Sequence, residues 1–167
     1  MDNKIIKVTM ENGTEYRIEL YPEFAPKTVE NFVSLVESGF YNGLTYHRII
    51  PGFMCQGGDP EGTGMGGSSK QIRGEFAANG FAKNTLSHKR GVISMARSQD
   101  MNSASSQFFI CYDDCSFLDG NYAAFGKVIE GMENVDALCD VPRTFSMSGE
   151  MASPVEPVVI RTMIVEK

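Results

Sequence analysis

Apolar residues recur every three to four positions from Pro26 to about Glu37, where Val29, Phe32, Val33 and Val36 fall at i, i+3, i+4 and i+7. That spacing makes one face of a helix; Pro26 suits its first turn and Gly39 lies just beyond it. A shorter helix is predicted over Glu133–Cys139, with Met132, Val135, Leu138 and Cys139 on one side. Elsewhere the chain reads as strands. Ile5–Met10 and Glu15–Leu20 flank Glu11-Asn12-Gly13-Thr14, a hairpin signal because Asn-Gly supplies positive φ cheaply. Further strands are predicted at Thr45–Ile49, Phe53–Gln56, Val92–Ala96, Gln107–Cys111, Ala124–Ile129 and Val158–Glu166.

Eight strands and two helices, separated by Gly-rich and polar connections, predict a mainly β fold: a barrel with helical caps. Closure would protect sheet edges that otherwise seek partners. No repeat or linker divides the 167 residues, so a single domain over 1–167 is expected. Val141–Pro157, with three prolines and several serines, reads as a long surface loop before the last strand.

Composition narrows the function mostly by exclusion. A net charge of −6 argues against sequence-independent nucleic-acid binding and against anionic membranes as partners. The N-terminal MDNKIIKVTMENG has no apolar h-region or cleavage site, and no apolar run approaches the ~18 residues of a membrane span. A cytoplasmic location is expected. Cys55, Cys111, Cys115 and Cys139 are sparse and irregularly spaced, which fits buried reduced thiols. With only His47 and His88 to join them, no metal or other cofactor is expected.

Nucleotide motifs fail on context. Gly62, Gly64 and Gly67 match G-x-G-x-x-G, but Ser68–Glu75 shows no amphipathic helix. Gly120…Gly126-Lys127-Val128 has one residue too many for a P-loop and no Ser or Thr after Lys127. No G-x-S-x-G or S-x-x-K appears, and the proximity of Cys55 to His47 in sequence does not make a dyad.

The chemistry concentrates in Tyr46–Asp59, YHRIIPGFMCQGGD. Arg48 stands in an apolar strand and keeps its proton at any working pH, a permanent fan of donors. Strand alternation puts Arg48 opposite His47 and Ile49, and Met54 with Gln56 on one face. The Pro51-Gly52 turn frees Phe53 from either parity. In Ser106-Gln107-Phe108-Phe109-Ile110, Gln107 and Phe109 share a face and repeat the amide-plus-apolar pairing. A fixed cation beside an apolar floor suits a neutral polar ligand with an apolar side chain.

Taken together, YHRIIPGFMCQGGD, Gly91–Ala96 (GVISMA), Ser106–Cys111 (SQFFIC), Phe117–Gly120 (FLDG) and Phe125–Met132 (FGKVIEGM) resemble the cyclophilins, the cyclosporin-binding peptidyl-prolyl cis–trans isomerases. The resemblance runs in order from about Val8 to Val165. It implies a closed eight-stranded antiparallel β-barrel capped by two α-helices, with the site in a groove outside the barrel. It implies isomerisation of X–Pro bonds in proline-containing peptides and in unfolded or folding proteins. A monomer without a cofactor is the default expectation. By resemblance Arg48 is the catalytic arginine, assisted by Gln56. Phe53, Met54, Phe109, Phe117, Leu118 and Tyr122 correspond to the proline pocket and its surroundings. Gln107 corresponds to an amide contact, Ala96, Arg97 and Ser98 to the segment along the peptide backbone, and Gly62 loosely to a groove glycine. Many members carry tryptophan at Phe117 and histidine at Tyr122, and asparagine is common at Arg97. The first two replacements look like those of bacterial members and imply weakened cyclosporin binding. The same groove could instead serve a module that grips proline segments without accelerating their rotation.

Overall fold

The computed structural model describes residues 3–166. Along them run β1 (Ile5–Met10), β2 (Glu15–Leu20), α1 (Pro26–Glu37), β3 (Thr45–Ile50), β4 (Met54–Asp59), β5 (Val92–Met95), β6 (Phe108–Cys111), β7 (Ala124–Glu130), α2 (Met132–Asp136), β8 (Arg143–Phe145), β9 (Met151–Pro154) and β10 (Ile160–Val165). In β1 and β2 every second residue is buried, which sends Ile6, Val8, Met10, Tyr16, Ile18 and Leu20 into one core. In the turn joining them, only Gly13 takes a left-handed φ, +91°. Asn12 instead uses its Oδ1 to accept the N–H and hydroxyl of Thr14 at 3.0 and 2.7 Å.

Eight strands make one antiparallel sheet in the order β10-β1-β2-β7-β5-β6-β4-β3. The sheet curls until its end strands approach. They meet at the bridge between Thr45 and Val159, where Tyr46 N–H donates to Val158 at 3.0 Å and Ile160 N–H to Leu44 at 2.8 Å. The expectation of a closed barrel is therefore corrected to a curled sheet: β3 and β10 form no ladder among the described residues. The register of β3 against β4 shifts twice, at Thr45/Tyr46 and Tyr46/Arg48. The hairpin of β8 and β9 packs beside β3 instead.

That hairpin also corrects the reading of Val141–Pro157 as a plain loop. Ser146 N–H donates to Glu150 O at 2.7 Å and Gly149, at φ +89°, donates to Ser146 O at 2.9 Å. Ala152 anchors β9 inside, while Phe145 and Met151, a cross-strand pair, remain exposed.

Helix α1 buries Val29, Phe32, Val33 and Val36 as its periodicity requires. Phe32 meets Tyr41, Phe108 and Phe125 at 5.1, 5.7 and 5.1 Å between ring centroids. The second helix begins at Met132 and tightens into a 3₁₀ turn over Ala137–Asp140, burying Val135 and Leu138. No helix among the described residues is long and apolar enough to cross a membrane.

Candidate active site

The double shift in β3 decides where Arg48 goes. Tyr46 pairs with Gly57 and Arg48 with Gln56, leaving His47 as the extra residue. Tyr46 and Ile49 both enter the core, whereas His47 and Arg48 both stay outside it, so the strict alternation that set Arg48 against His47 does not hold. Cross-strand pairing then brings the polar chains together. Arg48 Nη1 donates to Gln56 Oε1 at 3.1 Å, and Gln56 Nε2 donates to Gln107 Oε1 at 2.9 Å. Gln107 Nε2 donates to the carbonyls of Gly64 and Gly66 at 3.0 and 2.7 Å.

Those carbonyls are presented by a loop wound around Asp59. Its carboxylate accepts backbone N–H groups of Glu61, Thr63 and Gly64 at 2.8, 3.0 and 2.6 Å. Burial alone would raise the Asp59 pKa, but donation from the backbone of Glu61, Gly66, Gly64 and Thr63 holds it below the ordinary carboxylate value.

Strand β6 is buried on both faces. Phe108 and Ile110 belong to the main core; Phe109 and Cys111 form a second cluster with Met54 and Cys115 on the outer face. Phe53, Ala96, Leu118 and Tyr122 pack around that cluster. Phe109 lies over the ring of His88 at 6.0 Å and 14°, with Tyr122 edge-on at 5.8 Å. His88 is in turn held through Nδ1 to Asp119 Oδ1 at 2.8 Å and Nε2 to Ser94 Oγ at 2.9 Å. The Ser94–His88–Asp119 series has the order of a hydrolytic triad, but Ser94 and His88 are wholly buried and no substrate can reach them.

Arg48, Phe53, Met54, Gln56, Phe109, Leu118 and Tyr122 line a cleft of about 190 Å³, closed on one side by Ala96 and Arg97. Gln56, Ala96 and Arg97 also wall an adjoining cleft of about 310 Å³ that takes in Ser98, Gln107, Gly64 and Gly66. Arg97 lies between the rings of Phe76 and Tyr122, 4.9 Å from each, and donates to Asn121 O at 3.1 and 2.8 Å. Phe117 stands on the rim, 69% exposed, with its ring 5.8 Å from that of Phe53. Gly62 lines neither cleft; its N–H donates to Asp59 O.

Sequence reasoning missed Glu150, in the turn of the β8–β9 hairpin. Its carboxylate accepts Arg48 Nε–H at 2.9 Å and Nη2–H at 2.8 Å. Hydrogen bonding by Arg48 holds the Glu150 pKa below its ordinary value. Nothing near Glu150 in the chain signals this contact, made across 102 positions. The carbonyls of Gly64 and Gly66 were missed as well, since a motif shows side chains and not where backbone oxygens point.

No serine, cysteine or histidine lines the smaller cleft. Cys111 and Cys115 lie beneath its floor, their thiol pKa values pushed up by burial. The arrangement can grip an apolar ring and direct N–H donors at a polar group beside it, without covalent chemistry.

Comparison with known proteins points to one family. The family model of cyclophilin type peptidyl-prolyl cis-trans isomerase/CLD matches residues 5–165, and the chain belongs to this family of isomerases. Peptidyl-prolyl cis-trans isomerase B of Bacillus subtilis is 45% identical over 124 residues, covering 74% of this chain and 82% of that protein. Peptidyl-prolyl cis-trans isomerase-like 2 of Gibberella zeae is 39% identical over 92% of this chain, which spans 25% of that protein's length. A Cryptosporidium parvum cyclophilin type isomerase, crystallised in the presence of the dipeptide Ala-Pro, matches with a TM-score of 0.84 at 32% identity. That match covers 98% of this chain and 99% of the other.

Proposed function

We propose that the chain accelerates rotation about X–Pro bonds of folding polypeptides by stabilising the twisted amide non-covalently, with Arg48 as the stabilising group. The observation that carries this reading is a permanent cation, oriented by Gln56, beside the apolar side chains of Phe53, Met54, Phe109 and Leu118 in a cleft that holds about one small ring.

Rotation breaks amide resonance against a barrier of roughly 18–20 kcal/mol. Unaided it takes about 10–100 s. Reaching milliseconds requires on the order of 10⁴-fold acceleration, about 5.5 kcal/mol, from contacts stronger in the twisted state than in the planar one. As the amide twists, the proline nitrogen regains a localised lone pair. Arg48 donates toward that nitrogen and orients the proline carbonyl as an electrostatic stabiliser; it does not hand over a proton. Phe53, Met54, Phe109 and Leu118 clamp the ring while the acyl side turns. Gln56, with Gln107 behind it, keeps the guanidinium in place. Ala96, Arg97 and Ser98 run beside the peptide backbone. The relative crystallised with Ala-Pro supports a proline dipeptide unit as the minimal ligand. Phe117 has no indole N–H to donate and Tyr122 replaces a common histidine, so cyclosporin binds weakly.

The test is exchange NMR on a short Ala-Pro peptide with catalytic amounts of protein. Arg48→Ala is expected to lower kcat/KM by roughly 10²–10³, as does loss of an oxyanion-hole donor. A folded Arg48→Ala protein with full kcat/KM would sink the assignment. Binding of the peptide by the unaltered protein with no faster exchange would leave a proline-binding module.

A further inference from the structure

The turn of the β8–β9 hairpin reaches the proposed reaction centre through one side chain, Glu150. A guanidinium is planar and has five N–H donors. Glu150 takes two of them on a single edge, Nε–H and one Nη2–H, at 2.9 and 2.8 Å. Such a two-point grip fixes the plane of the group as well as its position. Gln56 takes one donor of Nη1 at 3.1 Å and removes the remaining freedom. One N–H on Nη1 and one on Nη2 are left over. Glu150 lines neither cleft, while Arg48 lines the smaller one, so the carboxylate holds the guanidinium from outside the cavity and does not plug it.

The grip rests on a fixed backbone. Glu150 O accepts Ser146 N–H at 2.7 Å, and two positions on Ala152 is buried. Without this support a long, partly exposed arginine would sample several rotamers, and only a fraction would aim donors at the proline amide.

We propose that Glu150 is a positioning residue for Arg48, aligning its free N–H donors with the twisting amide. This rests on the reading of Arg48 given above. The carboxylate acts through Arg48 and touches no substrate, so its removal lowers kcat and leaves the ring-binding cleft, and hence KM, almost unchanged. With side-chain exposures of 33% and 38% the pair is screened by water, and the expected loss is moderate: about fivefold for Glu150→Ala.

The experiment measures kcat and KM for the Ala-Pro peptide with Glu150→Ala and Glu150→Gln, each in the native and in the Arg48→Lys background, and follows the Arg48 Nε–H resonance. A fivefold loss of kcat in the native background, partial rescue by glutamine and no further loss in the Arg48→Lys background are expected. The Nε–H should also exchange faster with water once the carboxylate is gone. Unchanged or increased kcat in Glu150→Ala would overturn the proposal. So would the same loss in both backgrounds, which would mean that Glu150 acts by holding the hairpin. A full native rate for Arg48→Lys alone would overturn the reading of Arg48 itself; that failure is distinct, because failure of Glu150 alone leaves Arg48→Lys slow.

Discussion

Each glutamine behind Arg48 has one orientation that satisfies its neighbours. Gln107 must turn its amide nitrogen toward the carbonyls of Gly64 and Gly66, which leaves its oxygen for Gln56 Nε2 and the Gln56 oxygen for Arg48. A Glu at position 107 has nearly the same shape but sets a carboxylate oxygen against two carbonyl oxygens. Gln107→Glu should therefore release the Gly64–Gly66 loop and cost about 1 kcal/mol of stability, the lower end for an unmade hydrogen bond because water can enter. Urea denaturation measures the stability. Equal midpoints for the two proteins would mean that the loop does not depend on the amide. At this scale the sequence was legible where a contact follows from strand geometry. Met54, Gln56 and Phe109 share the outer face because alternation puts them there. It was illegible where the partner is a backbone oxygen or comes from a distant turn, as with Gly64, Gly66 and Glu150.

Helix α1 shows the same division between local and distant causes at the scale of an element. Its apolar spacing, Pro26 and the break before Gly39 give its limits, and the expected and observed spans agree. What completes its N-terminus is not local. Ala25 has no capping side chain, so the first-turn N–H groups need a partner from outside. Glu75 supplies it: the buried carboxylate accepts Lys27 N–H at 3.2 Å, Thr28 N–H at 2.7 Å and the Thr28 hydroxyl at 2.7 Å. A carboxylate there also meets the positive end of the helix dipole. Glu75→Ala should lower stability by about 2 kcal/mol, and Glu75→Gln by about 1 kcal/mol because an acceptor remains. Equal losses for the two would assign the whole effect to charge. Strands followed the same pattern. β1 and β2 were readable from local signals alone, whereas β8 and β9, three and four residues long with prolines around them, were not. The bridge between Thr45 and Val159, where the sheet's end strands meet, joins residues far apart in the chain, and no local pattern specifies it.

For the molecule as a whole, the pH dependence of folding follows from its two histidines. Burial depresses the pKa of His88, and the hydrogen bond and charge of Asp119 only partly offset this. His47 is also depressed, chiefly by burial. A histidine with a folded pKa below its unfolded value, near 6.5, stays neutral in the native state while the unfolded chain takes up a proton. The unfolded state is then favoured as pH falls below about 6.5, and the loss levels off once the folded group also protonates. Each such group gives a slope of at most about 1.4 kcal/mol per pH unit within that window. Asp119, Asp59 and Glu150 act in a different window. Their pKa values lie below the ordinary carboxylate range in the folded state, so their contributions persist above about pH 4 and disappear only in stronger acid. Unfolding free energy measured in urea from pH 8 to pH 5 should therefore be flat above pH 7 and fall below 6.5. His88, wholly buried between Asp119 and Ser94 and stacked on Phe109, should account for more of the fall than His47. His88→Gln should flatten the curve, whatever it does to absolute stability, and His47→Gln should leave most of the fall in place. If the native protein is equally stable at pH 5 and pH 8, Asp119 compensates His88 fully when the ring charges, and the pair becomes an ion pair that the fold accommodates without loss.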